Sequence, residues 1–132
     1  PAEPYRVMIV DDDQDLLDLY DSILGGAGYS VRTADNAQNA LSLLDQFQPE
    51  LVLIDVSMPV CNGIELGRII RQHEEFSTIP LLFMSAVADT ETQLACARLA
   101  NDEFITKPIE PWRLLMMVKS RVVKGRQLRS RT

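Results

Sequence analysis

The apolar residues of this chain form two kinds of segment that alternate along its length. Short, nearly continuous apolar runs are separated by longer segments in which apolar residues recur every three or four positions. Short continuous runs are typical of strands buried on both faces of a parallel sheet, and the longer spacing is typical of amphipathic helices. The strand-like runs are residues 6–10, 51–54, 81–84 and 104–106.

The segments between these runs complete a repeating strand–helix order. Tyr29–Ala34 alternates and predicts a strand at the sheet edge. Gly25–Gly28 should stop the first helix, and Asp35 or Asn36 should cap the second. Five such units predict one α/β domain with a parallel sheet and helices on both faces. The predicted helices cover residues 16–24, 36–47, 64–70, 90–99 and 111–118, the fourth being the weakest.

Polar side chains follow the predicted strands where each strand ends. Asp11 and Asp12 follow the first strand, Asp55 the third, Ser85 the fourth and Lys107 the fifth. Ligands of open parallel sheets bind outside the carboxyl ends of the strands, so these side chains should meet in one crevice. Three carboxylates, a hydroxyl and an ammonium group suit a small hard cation and a phosphoryl group.

The carboxylates predict a metal site. Asp11, Asp12 and Asp55 cannot all stay ionised in a crevice without a cation, and oxygen-only ligands favour Mg²⁺ or Mn²⁺. Acidic residues also favour helix N-termini, which is the simplest interpretation of Asp13 and Asp15.

Asp55 has a second candidate role. A carboxylate can attack phosphorus and form an aspartyl phosphate, a transfer that depends on positioning and charge neutralisation. Lys107 and the cation would supply the neutralisation, and Ser85 would donate to a phosphoryl oxygen. A salt bridge from Lys107 to the acids is equally expected, and the two roles are compatible.

Composition and charge narrow the class of protein. The chain has 132 residues, 46% of them hydrophobic, with no run long enough to span a bilayer. Residues 1–118 hold seven basic and all nineteen acidic residues, a net charge of −12, and the last fourteen residues carry +6. The acidic body argues against nucleic-acid binding by the domain itself. Two cysteines without metal-ligand spacing favour a reducing, cytoplasmic location. The shortness of the apolar runs favours a protein without membrane association.

Taken together, the motifs resemble a response-regulator receiver domain of two-component signalling. The matching pieces occur in the order and at the spacing of that family and cover about residues 5–124. The resemblance implies a flavodoxin-like (βα)5 doubly wound sheet with strand order 2-1-3-4-5. The pieces are Val10-Asp11-Asp12, Asp55-Val56-Ser57-Met58-Pro59 followed by Asn62-Gly63, Ser85-Ala86, and Thr106-Lys107-Pro108.

The resemblance implies a role for each site residue. Asp55 is expected to be the phosphoacceptor, contacted through its phosphoryl group by Ser85 and Lys107. Asp12, Asp55 and the backbone carbonyl of Ser57 are expected to ligate Mg²⁺, with Asp11 holding a metal-bound water. The peptide bond between Lys107 and Pro108 is expected to be cis.

Four further positions concern the conformational switch, the lifetime of the phosphoryl group or a departure from the family pattern. Phe104 stands at the family's aromatic switch position and lacks the hydroxyl of a tyrosine. Ser57 and Val87 border the path of the attacking water, which Val87 cannot orient. Ala100 stands where the family often has Gly.

The expected function is a phosphorylation-activated switch, not an enzyme beyond its own phosphorylation and dephosphorylation. A histidine kinase or phosphotransfer protein would phosphorylate Asp55, and the face formed by the fourth helix, fifth strand and fifth helix would relay the change. The target is an output module in the same chain or a diffusible partner, and a homodimer on phosphorylation is also expected. We expect a linker at 1–4, the receiver at 5–124, and a basic tail or linker at 125–132.

Two other classes use the same elements. An aspartate-nucleophile phosphohydrolase also uses Asp, Ser, Lys and Mg²⁺, but Ser57 stands where it needs a second Asp. A flavin-binding module shares the topology, but three Asp residues occupy the place of its phosphate loop and would repel the phosphate.

Overall fold

The computed structural model describes residues 3–58, 62–85 and 102–130. Its strands are β1 Arg6–Val10, β2 Ser30–Ala34, β3 Leu51–Asp55, β4 Leu81–Ser85 and β5 Asp102–Thr106. The helices are α1 Gln14–Gly26, α2 Ala37–Phe47, α3 Gly63–Gln72 and α4 Pro111–Ser130, with a 3₁₀ turn at Glu74–Phe76. The predicted fourth helix lies outside the described residues, so α4 is the predicted fifth helix.

The five strands form one parallel sheet in the order β2-β1-β3-β4-β5, which confirms the predicted fold. The predicted edge position of β2 is also correct. One core cluster packs α2 and α3 on one face of the sheet, and a second packs α1 and α4 on the other. Successive strand residues point to opposite faces, so the central strands are apolar on both faces except at their terminal residues, as buried parallel strands require.

Asp13 and Gly28 mark the two ends of α1. The Asp13 carboxylate accepts hydrogen bonds from the backbone N–H groups of Asp15 and Leu16, so Asp13 is the N-cap of the helix. The sequence predicted an acidic residue at this helix start without identifying it as the cap. The helix continues through Gly25 and Gly26, two residues beyond the predicted stop. It ends only before Gly28, whose φ of 97° lies in the left-handed region.

The next two helices start on asparagines. Asn36, the second of the two predicted candidates, caps α2 by accepting from the N–H of Asn39. Asn62 caps α3 in the same way through Glu65. His73 follows α3 and is exposed, as expected for a residue at a helix end.

The helix α4 buries a narrower face than its sequence suggests. Leu114, Val118 and Val122 are fully buried, whereas Trp112 and Met116 are exposed although both are apolar residues of the predicted helix 111–118. The helix continues to Ser130, so the predicted boundary after residue 124 falls within it. No helix in the described part of the chain is long and apolar enough to cross a membrane.

A polar cluster, here called the basal clasp, joins α4 to the amino edge of the sheet. Glu50 is 2% exposed and accepts from the Arg126 Nε at 2.5 Å, the Arg126 Nη2 at 2.9 Å and the Arg6 backbone N at 3.0 Å. The Arg126 guanidinium also lies 3.9 Å from the Tyr5 ring centroid. The basal clasp comprises Tyr5, Arg6, Glu50 and Arg126, and it holds α4 beyond its apolar contacts.

Removal of the Arg126 side chain should destabilise the domain. Burial alone would raise the pKa of Glu50, but hydrogen bonds from Arg126 and Arg6 hold it below its usual value. We expect Arg126→Ala to lower the free energy of unfolding by about 1–3 kcal/mol at pH 7, the scale of hydrogen bonds to a buried charge. A carboxyl group whose pKa is lowered by folding stabilises the folded state at pH values above its pKa in the unfolded chain. The loss of stability in Arg126→Ala should therefore shrink as pH falls below about 4.5.

Urea unfolding at pH 7 and pH 4 measures this difference. Lys124→Ala is the matched control, since Lys124 is an exposed cation on the same helix. Equal stability of the two variants at pH 7 would show that the basal clasp contributes nothing.

Candidate functional site

The carboxyl edge of the sheet brings the predicted site residues together. Asp55 and Ser85 are the last residues of β3 and β4, and Asp11 and Lys107 directly follow β1 and β5. The register aligns these ends, with Asp55 opposite Met84 and Ser85 opposite Thr106. Asp11, Asp55 and Ser85 are all buried. The strand ends therefore form one crevice, as their order in the sequence predicts.

Lys107 bridges the two buried carboxylates. Its Nζ lies 2.8 Å from the Asp11 Oδ2 and 3.2 Å from the Asp55 Oδ1. Its backbone N–H donates to the Ser85 carbonyl at 2.6 Å, and the bond to Pro108 is cis, which confirms that expectation. The lysine is therefore held from its backbone and its side chain.

Backbone donors orient the carboxylates. The Asp11 Oδ1 accepts from the Asp13 N–H at 3.0 Å, which leaves its other oxygen for Lys107. The Asp55 Oδ1 accepts from the Ser57 N–H at 3.4 Å. Asp12 is exposed, at the mouth of the crevice.

Three carboxylates form a set that could bind a divalent metal. One oxygen from each of Asp11, Asp12 and Asp55 lies within 4.8 Å of the others. With Lys107 included, the four side chains carry a net charge of −2 when ionised, which a divalent cation would balance. Carboxylate oxygens are the ligands that hard cations prefer, so the residues fit the predicted group. That the backbone carbonyl of Ser57 is also a metal ligand stays a prediction.

Burial and the neighbouring charges shift the pKa values of Asp55 and Lys107. Burial is the main cause that raises the pKa of Asp55 to about 6, and the neighbouring Asp11 charge adds to it, while Lys107 opposes both. Burial lowers the pKa of Lys107, but its hydrogen bond to Asp11 and the two negative charges outweigh burial and raise it. Lys107 is therefore charged at neutral pH. In the absence of a metal, the ionised form of Asp55 is electrostatically unfavourable in the folded protein.

Gly63 has a role at the site that the motif alone did not explain. A Cβ at this position would overlap the Asp55 carbonyl oxygen and crowd the Ile54 side chain. The Gly63 N–H donates to the Val56 carbonyl at 2.9 Å. The absence of a side chain thus lets the first turn of α3 pack directly on the backbone of Asp55.

The remaining predicted residues are placed as follows. Phe104 is half-buried on β5 and packs against the first core cluster. Its partner in the register is Phe83, and Ser85 lies two residues further along the same side of β4. Ser57 is exposed. Val87 lies outside the described residues, as do Ala86, Pro59, Ala100 and both cysteines.

The parallel α/β fold, together with a crevice in which acidic side chains surround one lysine, defines a class of protein for which a family sequence model exists. That model, the response regulator receiver domain, matches residues 7–119. The chain belongs to the family of response regulator receiver domains, which confirms the resemblance stated above. Receiver domains of this family are regulatory domains of two-component signalling.

Individual relatives agree with this assignment. The chain is 36% identical over 113 residues to an uncharacterized 14.6 kDa protein of Leptolyngbya boryana, covering 86% of each. It is 35% identical to an uncharacterized 76.5 kDa protein of Thiocystis violacea, covering 96% of this chain and 18% of that one. It is 30% identical to the DNA-binding response regulator MtrA of Mycobacterium tuberculosis, covering 89% of this chain and 50% of MtrA. The chain therefore spans less than a fifth of the Thiocystis protein, and likewise 19% of protein RcaC of Microchaete diplosiphon, to which it is 32% identical.

Solved structures show the same fold. A CheY-like response regulator receiver domain protein from Methanospirillum hungatei superimposes with a TM-score of 0.86 at 27% identity, covering 94% of this chain and 98% of that one. The signal receiver domain of a signal transduction histidine kinase from Syntrophus aciditrophicus gives 0.82 at 27% identity, covering 91% of each.

Replacement of Asp55 by its neutral amide should stabilise the metal-free domain. A carboxyl pKa raised to about 6 destabilises the fold above that pH, and the penalty disappears as pH falls below the unfolded value of 3.8. We expect Asp55→Asn in EDTA to raise the free energy of unfolding by about 1–2 kcal/mol at pH 8, because the amide removes the buried charge that raises this pKa. Near pH 4 the gain should vanish.

Chemical denaturation at the two pH values tests this, with Asp45→Asn as control because Asp45 is exposed on α2. A variant that is less stable than the parent at pH 8 in EDTA would contradict the assigned electrostatic cost.

Proposed function

We propose that this chain is a phosphorylation-activated switch that accepts a phosphoryl group on Asp55. The observation that carries the proposal is the position of the Lys107 Nζ between Asp11 and Asp55 in the crevice of a receiver domain. The donor is a histidine kinase or a histidine phosphotransfer protein in the cytoplasm. The alternative, a phosphohydrolase, would need an acid two residues after Asp55, where Ser57 has only a hydroxyl.

The chain's own residues have separate tasks in this transfer. Asp55 supplies the attacking oxygen, with Ser57 donating from its backbone to the Asp55 carboxylate. As the O–P bond to Asp55 forms, the P–N bond to the donor's histidine breaks, and the leaving imidazole takes up a proton from solvent. Lys107 shifts from the free carboxylate to the transferred group and balances part of its charge. Ser85 supplies a hydroxyl at the adjacent strand end.

Asp11, Asp12, Asp55 and the Ser57 carbonyl would hold Mg²⁺, with Mn²⁺ as substitute. The bound cation would neutralise charge on the phosphoryl oxygens.

The region that would transmit the signal includes β4 and β5. We propose that Ser85 moves toward the phosphoryl group and that Phe104 packs inward behind it, since both side chains lie on one side of neighbouring strands. The surface around β5 and α4 then reorganises and reaches an output module, a diffusible target or a second phosphorylated copy. MtrA is a DNA-binding response regulator of which this chain spans half, which supports a receiver that serves a larger protein.

Phosphorylation by a small donor tests the acceptor. We expect acetyl phosphate to add one phosphoryl group to the parent chain in the presence of Mg²⁺ and none in EDTA, as read by intact-mass spectrometry. Asp55→Asn should abolish the adduct, because its amide cannot attack, and Asp12→Ala should sharply weaken metal binding. Asp45→Asn is the control and should react normally. An undiminished adduct on Asp55→Asn would refute the acceptor assignment.

The lifetime of the phosphoryl group should depend on Val87. An apolar side chain two residues after Ser85 cannot orient the attacking water, and Ser57 is small. We expect self-dephosphorylation of the parent to be slower than that of Val87→Glu, with Val87→Leu as the apolar control. The decay of phosphoprotein after removal of the donor measures the rates. Equal or faster decay in the parent would contradict this role of Val87.

A further inference from the structure

Exposed apolar side chains concentrate on one layer of the molecule. Within the described residues, the large hydrophobic side chains that remain exposed are Trp112 at 61%, Met116 at 58%, Leu19 at 50% and Val123 at 36%. One lies on α1 and three lie on α4, and these two helices cover the same face of the sheet. We call these four residues the apolar stripe. Grouped exposed apolar residues mark interaction surfaces more often than isolated ones do.

The stripe lies between the two helices, away from the β5 side of α4. Val123 and Lys119 line a groove together with Tyr29, which follows α1. On the opposite flank of α4, Arg121 pairs with Glu103 of β5. Trp112 and Met116 precede Lys119 and Val123 by seven residues, so they share the α1 side of the helix.

Leu19 belongs to the same surface. Leu16 and Ile23, three residues before it and four after it, are partly buried against the core cluster that α1 shares with α4. Leu19 therefore continues outward from the side of α1 that faces α4. The four exposed side chains of the stripe therefore lie on the adjoining sides of the two helices.

The two helices carry opposite charge. The helix α1 contains Asp15, Asp18 and Asp21 and no basic residue, and α4 contains six basic residues and no acidic one. A surface with an acidic half, a basic half and an apolar centre is complementary to a second copy of itself, because an isologous contact brings each half onto the other.

Charge also selects the orientation of the symmetry axis. Both helices start at the carboxyl edge of a parallel sheet, so they run in the same direction. A two-fold axis parallel to them places α1 of one copy on α4 of the other, whereas a perpendicular axis would place acidic helix on acidic helix. In the first arrangement Leu19 and Met116, each five residues after the first residue of its helix, lie at the same level.

We propose that this chain forms a two-fold symmetric homodimer through α1 and α4, with the apolar stripe at its centre. Leu19 of each copy packs on the other copy's Trp112 and Met116, an exposed aromatic residue being a frequent interface anchor. The basal clasp fixes α4 through Arg126, which lies three residues after the last residue of the stripe on this helix. The interface lies on the other flank of α4 from β5, and it does not depend on the phosphoacceptor role of Asp55.

Each helix also has an outer flank, the side that faces away from the other helix, and charges on these flanks provide a test of the proposed orientation. Asp18 accepts a hydrogen bond from Gln14, which lines the cavity on the β2 side of α1. Arg113 lies eight residues before Arg121, on the β5 side of α4. An axis parallel to the helices brings the outer flank of α1 opposite the outer flank of the partner's α4. Asp18 and Arg113 of different copies then face each other near the start of their helices.

Sedimentation equilibrium of the whole chain without phosphodonor tests the proposal. We expect a dimer with a micromolar dissociation constant that weakens with added salt. Leu19→Lys and Met116→Lys should each weaken it by at least about tenfold, because each places a charge at the apolar centre. Gln72→Lys, an exposed change on α3 in the opposite layer, is the control and should have no effect.

A charge exchange separates this dimer from other arrangements. Asp18→Arg and Arg113→Asp should each weaken the dimer, and the double variant should recover most of the loss. All variants change exposed residues, and circular dichroism verifies their folding. A chain that stays monomeric up to millimolar concentration would overturn the proposal. A dimer that survives both Leu19→Lys and Met116→Lys, or a charge exchange without recovery, would overturn it too.

Discussion

The crowding of carboxylates around one lysine is the constraint on which the candidate site depends. Asp11 and Asp55 are buried side by side, and Lys107, from the far end of the sequence, lies within 3.2 Å of both. Burial, together with the neighbouring Asp11 charge, outweighs Lys107, so the pKa of Asp55 stays raised in the absence of a cation. A divalent metal could bind these three carboxylates, and its charge would then remove the repulsion between them.

The sheet converts distant sequence positions into this geometry. Ninety-six residues separate Asp11 from Lys107, yet each follows a strand that ends at the same edge. The N–H groups of Asp13 and Ser57 hold the carboxylates, and the Ser85 carbonyl holds the lysine backbone. Because these supports are backbone groups, the site is built by the chain path as much as by its side chains.

The fold and the residues gathered at the crevice could be predicted because both follow from local patterns. Short apolar runs locate the strands, and the residue after each run marks the common edge. The glycine at position 63 could be noticed as a motif, but its reason could not, because the contact is with the carbonyl of Asp55 in three dimensions. The extent of α1 was also underestimated, since two glycines lie inside it. Glycine lowers helix propensity without forbidding a helix that the core holds.

The largest differences concern α4, where sequence pattern and burial diverge. Its basic C-terminal half reads as a solvated tail, because Glu50, the carboxylate that Arg126 contacts, is seventy-six residues away. Its apolar N-terminal half reads as core, although Trp112 and Met116 face outward. Periodicity identifies a helix but cannot say which of two adjacent apolar stripes meets the sheet. The helix is thus anchored where it looks free and exposed where it looks buried, and this reversal leaves an apolar surface beside α1 that a contact within the described chain does not cover.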